Sequence, residues 1–259
     1  MYNELIENLK YHPLYNELYK REGIKQCISS GYISENMDDI NSRDLLKFNN
    51  NNFLKNYNKN KKNIILISTG AYSPVHQGHI DMMLSAKHVA LNQGYNVLTI
   101  IMSPSHDDYV LKKYVTGQKF NAVERLYLLD KLIAENNVAE LQSNSWESIV
   151  LKYAVNFTSV ISSIENTINR LLPNNNVNYA YVVGSDNVEF CKVFYESKYM
   201  CYIVPRVNNN KDLNTYLRDN VFLCPIENTG LSSSMVRNNQ YIELNPIEIQ
   251  NYYSKLIGS

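Results

Sequence analysis

The chain of 259 residues carries 25 basic against 25 acidic side chains, a formal net charge of zero, and is 44% hydrophobic. It is long enough for one sizeable domain with an appendage, and its charge balance gives no broad pull toward nucleic acid or an anionic membrane. Cys27, Cys191, Cys201 and Cys224 lie far apart with no C-x-x-C pair, which favours reduced thiols in a cytoplasmic setting over a disulfide framework or zinc ribbon.

The opening MYNELIENLKYH is polar and acid-bearing, unlike a signal peptide, and no apolar run approaches the roughly 20 residues of a membrane span. Residues 1–60 read as a separate, mostly helical extension with a small echo, YNEL at 2–5 and 15–18. It closes in the Asn/Lys tract NNNNFLKNYNKNKKN, which has little to bury and reads as a linker.

Residues 61–259 read as one alternating α/β domain. IILIST (64–69) is short, apolar and β-branched, the pattern of a buried strand. QGHIDMMLSAKHVALNQG is a helix with Ile80, Met83, Leu84 and Leu91 near helical spacing and Gly94 at its stop. YNVLTIIM is a second strand, FNAVERLYLLDKLIAEN a second helix, and VAEL a short strand. A long helix is predicted from Trp146 to Leu172, with Asn144 and Glu147 as a capping pair. YAYVV, YMCYIV and VFLC complete the strands, and a last helix starts at Pro246. Strands separated by helices point to an open, mostly parallel, Rossmann-like sheet with helices on both faces. Ligands bind such sheets beyond the carboxyl ends of the strands.

That is where GAYSPVHQGH (70–79) falls. A loop entering a helix offers free backbone N–H groups and the positive dipole end, which suit phosphate. Gly70 permits close backbone approach and Gly78 keeps bulk away from between His76 and His79, two donors for anionic oxygens. Zinc is disfavoured, because H-x-x-H lacks the i, i+4 spacing and no acid or cysteine cluster accompanies it. GLSSSMVR (230–237) offers serine hydroxyls and Arg237 at a second helix start, although a plain serine cap fits it locally. VVGSDN (182–187) ends a strand at Gly184 with Asp186 two residues on, a place for a ribose hydroxyl or for a simple turn cap. Trp146, the single tryptophan, fits either the core or a flat ligand ring. Lys112 and Lys113, in the polar loop MSPSHDDYVLKKY, can meet phosphate.

Taken together, the set resembles a known family. GAYSPVHQGH is similar to the G-x-(F/Y)-x-P-x-H-x-G-H signature of the nucleotidyltransferase superfamily, and LSSSMVR resembles its I-S-S-T-x-x-R signature, with Leu231 for Ile and Ser234 for Thr. The MSP loop, WES at 146–148, VVGSDNVEF and the closing NPIEIQNYYSKL look like nicotinamide/nicotinate mononucleotide adenylyltransferases of the eukaryotic type. The likeness spans about residues 63–257.

The resemblance implies that ATP and a pyridine mononucleotide meet above the sheet and react to a dinucleotide and pyrophosphate. His76, His79 and Arg237 would be catalytic. Gly70, Ala71, Tyr72, Gly78, Gly184, Asp186, Ser232 and Ser233 would bind ATP; Ser73, Lys112 and Trp146 would hold the mononucleotide. Magnesium would ride on the ATP phosphates with no metal ligand from the protein, and self-association is common among family members. Ser73 stands where the family commonly has Asn, which puts rate or substrate preference at issue. Another nucleotidyltransferase of the superfamily, acting on phosphopantetheine or with a cytidylyl donor, and a non-catalytic nucleotide-binding protein stay open as alternatives.

Overall fold

The computed structural model describes residues 53–113, 120–151, 153–207, 211–225 and 232–237. The expected amino-terminal extension up to residue 52 and the helix expected from Pro246 lie outside the described residues, as does the side chain of Arg237.

In chain order the elements are α1 (Phe53–Asn56), β1 (Lys62–Gly70), α2 (Gln77–Asn92), β2 (Tyr95–Pro104), α3 (Asp107–Lys113), α4 (Ala122–Asn136) and β3 (Leu141–Ser143). A π-helical turn Trp146–Val150, α5 (Phe157–Leu171), β4 (Val177–Gly184), a 3-10 stretch Ser185–Phe194, β5 (Met200–Val204), a 3-10 turn Leu213–Tyr216, β6 (Val221–Leu223) and α6 (Ser233–Arg237) follow. The six strands form one sheet in the order β3-β2-β1-β4-β5-β6, parallel throughout. This is the Rossmann-like arrangement, and its order reverses between β1 and β4, opening a crevice above their carboxyl ends.

Alternation along the strands divides the core in two. Ile64 and Leu66 of β1, with Ala180 and Val182 of β4, face α2 and α4 through Ile80, Met83, Ala86, Leu128 and Leu132. Ile65, Ile67, Tyr181 and Val183 face the other way, onto Val160, Ile161, Ile164 and Ile168 of α5 and onto Val188 and Phe194. Each face is fully covered, which is why these strands read as continuous apolar runs. The register between β1 and β2 shifts at Ile64/Ile65, where Leu98 is the extra residue.

The long helix predicted from Trp146 is two elements. The turn at Trp146–Val150 ends at Leu151, whose backbone is extended, and α5 begins only at Phe157. The apolar stripe bridges the gap in sequence but not in space, and Tyr153, counted on it, is 64% exposed. Polar contacts explain the break. Asn144 Oδ1 accepts from the Trp146 amide, while the Glu147 carboxylate accepts from the His106 amide across the β2 loop instead of closing a cap. Asn156 caps α5 by accepting from the Thr158 amide.

Within the tract read as linker, Phe53 is buried against α5's face of the sheet. At the amino ends of the strands a set of asparagines interlocks. Asn63 Nδ2 donates to Asn58 O (2.8 Å) and Asn176 Oδ1 (2.7 Å), and Asn96 Nδ2 donates to Asn63 Oδ1 (2.9 Å). Asn178 Nδ2 donates to Asn63 O (3.0 Å), and Asn176 Nδ2 to Lys61 O (2.8 Å).

Candidate active site

β1 runs into the crevice and ends at Gly70, level with Pro104 of β2. The chain then turns through Ala71 and Tyr72, whose φ of 42° is left-handed, a costly conformation for a bulky residue. The Ser73–Pro74 peptide is cis. Gly70 leaves room at the turn, since a Cβ there would press within 3.1 Å of the Tyr72 ring. His76, extended at φ −148° and ψ 168°, is the residue before the first turn of α2, and His79 lies within that turn.

The two imidazoles sit 3.9 Å apart, and the edge of Tyr72 meets His79 at 4.9 Å. The His76 amide donates to His79 Nδ1 (3.2 Å), which places the His79 proton on Nε2. Both His76 ring nitrogens are buried without a hydrogen-bond partner among the described residues. Burial, with the Arg206 guanidinium nearby, pulls the His76 pKa down to about 3. Burial first, then the neighbouring His76 and Arg206, hold His79 well below the usual histidine value. Both rings are therefore neutral, and His79 presents an N–H rather than a base.

The crevice holds a cavity of about 290 Å³ between β1 and β4. Its walls bring together Gly70, Ala71, Tyr72, His76, His79, Gly184, Asp186, Ser232 and Ser233, nine of the positions singled out in the sequence. Ser233 Oγ donates to Pro74 O (2.8 Å) and so ties α6 to the histidine loop. Ser232 Oγ accepts from the Met235 amide (3.2 Å).

Other singled-out residues lie elsewhere. Gly78 is buried in the first turn of α2, and Ser73 is fully buried under the loop; neither lines the cavity. Both lysines are exposed, but only Lys113 lines the cavity. The Trp146 ring is 1% exposed and packs in the core with Ile65, Ile67 and Ile101, so it offers no face to a ligand in the crevice.

A second cavity of similar size, about 290 Å³, adjoins the first and shares Thr69, Gly70, Ala71, Lys113, Tyr181, Asn187 and Phe190 as a common wall. Its flat surfaces are aromatic. Phe157 stacks on Tyr181 (4.8 Å) and Phe190 (5.5 Å), and Tyr109 also lines the cavity. Glu147 also lines it, with its pKa pushed up to about 7 by burial.

Sequence reasoning missed Arg206 and Phe157. Arg206 follows β5 in VPRV, and a basic residue just past the carboxyl end of a parallel strand was the available signal. Its Nη1 approaches Asp186 Oδ2 at 3.4 Å, and its amide donates to Ser185 Oγ (2.9 Å). Phe157 was absorbed into the apolar stripe of the supposed long helix, which hid its position at a helix start facing the crevice.

The sequence of residues 67–239 matches the family model described as cytidylyltransferase-like. This chain belongs to the cytidylyltransferase-like family. Its activity class is nucleotidyl transfer. No curated protein matches the chain. It is similar, at a distance, to two solved structures of Plasmodium falciparum nicotinic acid mononucleotide adenylyltransferase. The one complexed with NaAD shares 19% identity at a TM-score of 0.46, covering 76% of this chain and 93% of that one. The one complexed with APC shares 19% at 0.45, covering 75% and 92%.

The site makes a substitution test simple. A Cβ at Gly184 would stand 2.7 Å from Asp186 Oδ1 and 3.2 Å from Arg206 Nε. The backbone at Gly184 (φ −74°, ψ 150°) accepts any residue, so Gly184→Ala should fold. It should displace the Asp186–Arg206 pair and weaken nucleotide binding about tenfold, roughly 1.4 kcal/mol, by calorimetry. Unchanged affinity would remove that pair from the ligand site.

Proposed function

We propose that this nucleotidyltransferase moves an adenylyl group from ATP to nicotinamide or nicotinate mononucleotide, giving NAD or its deamido form and pyrophosphate. The observation that carries the reading is the pair of cavities meeting at Gly70 and Ala71, one lined by anion donors and one by aromatic faces. The triphosphate lies along the first, between the loop from Gly70 to His79, Arg206 and the serines of α6. Asp186 accepts from the ATP ribose. The pyridine ring lies in the second, against Phe157 and Phe190, in the role first expected of Trp146.

The mononucleotide phosphate oxygen attacks the α-phosphorus of ATP in line. The new P–O bond forms as the bond to the β-phosphate bridging oxygen breaks, and pyrophosphate leaves with that electron pair. No protein nucleophile is needed; positioning and charge stabilisation supply the catalysis. Neutral His79 donates Nε2–H to a phosphoryl oxygen, His76 adds a second donor, and Lys113, Arg206 and Arg237 balance charge on the leaving pyrophosphate.

The cavity donors are N–H and O–H groups, which complement phosphate oxygens rather than a cation. Magnesium is accordingly assigned to the substrate, where it would neutralise the phosphates.

The test is a product assay with ATP and magnesium, offering nicotinamide mononucleotide, nicotinate mononucleotide and phosphopantetheine in parallel, with CTP as alternative donor. A dinucleotide from either pyridine substrate is expected. Product only from phosphopantetheine or CTP would move the chain to another branch, and no product while ATP still binds would leave a nucleotide-binding protein.

A further inference from the structure

The most unusual buried group outside the cavities is Arg125 of α4, which has no exposed surface. A guanidinium in the interior costs several kcal/mol unless its donors are met, and a helix needing only to cover the sheet is served by an apolar residue. Here the donors go mainly to backbone. Nη1 donates to Ala71 O (2.8 Å), and Nη2 donates to Ser105 O (2.7 Å) and to Asp107 Oδ1 (2.8 Å). One carbonyl belongs to the histidine loop and the other to the β2 loop, so a single side chain holds both rims of the crevice.

The geometry of the peptide group turns this into a statement about the opposite side. In a planar trans peptide the C=O and the following N–H point in opposite directions. At Ser105–His106 the carbonyl meets Arg125, and the His106 N–H on the far side meets the Glu147 carboxylate at 3.1 Å. The peptide is thus flanked by a cation at its oxygen and an anion at its nitrogen. At Ala71–Tyr72 the carbonyl meets the same cation, but the Tyr72 N–H has no acceptor among the described residues. Ala71 and Tyr72 line the ATP cavity and Arg125 does not, and that N–H, opposite the carbonyl, points away from the guanidinium. The left-handed backbone of Tyr72 shows that the loop is held in this shape against its local preference.

We propose that Arg125 is a positioning residue that fixes the Ala71–Tyr72 peptide with its N–H aimed at a phosphate oxygen of the bound nucleotide. The substrate supplies at this peptide the anion that Glu147 supplies at the other. The inference rests on the nucleotide reading above and deepens it. Asp107, which accepts from both Arg125 and the Ala122 amide, keeps the guanidinium in register with the start of α4.

Binding of the non-hydrolysable analogue adenosine 5′-(α,β-methylene)triphosphate tests it by calorimetry, with adenosine followed by NMR titration as the phosphate-free control. Arg125→Lys keeps the charge but cannot span both carbonyls. It should bind the analogue about tenfold more weakly and adenosine as wild type does. A second variant replaces Tyr72 by its α-hydroxy acid, which deletes that N–H and, as an ester, also weakens the Ala71 carbonyl that Arg125 holds. It should show a similar loss, and Arg125→Lys should add little on top of it, because both act on one hydrogen bond.

Equal weakening of analogue and adenosine by Arg125→Lys would make the residue purely structural and overturn the proposal, as would independent, additive losses. If Arg125→Lys fails to fold, the hydroxy-acid variant decides alone: wild-type affinity for the analogue rejects the proposal. Wild-type protein that binds no analogue rejects the nucleotide reading itself, whereas wild-type binding with unaffected variants rejects only the role of Arg125.

Discussion

His79→Ala should lower the turnover of the proposed adenylyl transfer by about a hundredfold or more, close to 3 kcal/mol of transition-state stabilisation, with a much smaller change in the KM for the nucleotide. The expectation follows from the state of the ring. Its Nδ1 is occupied by the His76 amide and its pKa lies well below the usual value, so Nε2–H is a fixed, neutral donor at the cavity wall. A donor of that kind gains most when charge accumulates on the phosphoryl oxygens, which happens in the transition state. His79→Asn keeps an N–H near the same place and should recover part of the rate. Thermal unfolding of both variants separates a lost donor from a lost fold. A near-normal rate for His79→Ala would end the catalytic assignment of the histidine pair.

Acid should destabilise the protein through the same two rings. His76 falls from the ordinary 6.5 to about 3 in the folded state, and His79 moves in the same direction. Below about pH 6.5 the unfolded chain therefore binds more protons than the folded one, and stability falls as pH falls, down to the folded pKa. At about pH 4.5, two pH units below the ordinary value, His76 alone costs about 3 kcal/mol, with His79 adding to it. Glu147 works in the opposite sense. Its folded pKa of about 7 against an ordinary 4.5 means that the folded state gains relative stability as pH falls through that window. Comparison with the double variant His76→Gln, His79→Gln isolates the histidines. Urea unfolding at pH 8 and at about pH 4.5 should show wild type losing several kcal/mol more than the variant. Equal losses would show that the imidazoles are not held neutral by the fold.

How far the sequence reached depended on whether position along the chain fixes position in space. The run IILIST and the loop after it are local: an apolar strand must be buried, its exit must lie at a strand end, and His76 and His79 must enter the next helix together. Gly184 and Asp186 follow by the same reasoning from β4. The placement of Trp146 does not follow that way, because whether a ring at a junction turns inward or outward depends on the packing of distant elements. Here Ile65, Ile67 and Ile101 claim it for the core. The supposed long helix misled for a related reason. Apolar spacing continues through 151–156, while the break is set by Glu147 reaching the His106 amide 41 residues away. Of two adjacent lysines, only the path of α3 decides that Lys113 and not Lys112 meets the cavity. Arg206 and Arg125 were hidden because their meaning lies in partners far off in sequence: Asp186 for one, the carbonyls of Ala71 and Ser105 for the other.

The interlocked asparagines at the amino ends of β1, β2 and β4 have a consequence for how the molecule comes apart. Asn58, Asn63, Asn96, Asn176 and Asn178 carry no titratable proton and no net charge. Their hold on the sheet is indifferent to acid and hardly touched by salt. The opposite end is built on neutral histidines and a raised carboxyl, which respond to pH, packed around a buried guanidinium that keeps its charge. The sheet thus has a chemically inert base and a chemically responsive crown, and mild acidification should loosen it from the crown downward. At about pH 5 the hydrogen-exchange protection factors of the amides in α2's opening turn and of Ser105 to Asp108 would then fall first, while those at the strand starts stay high.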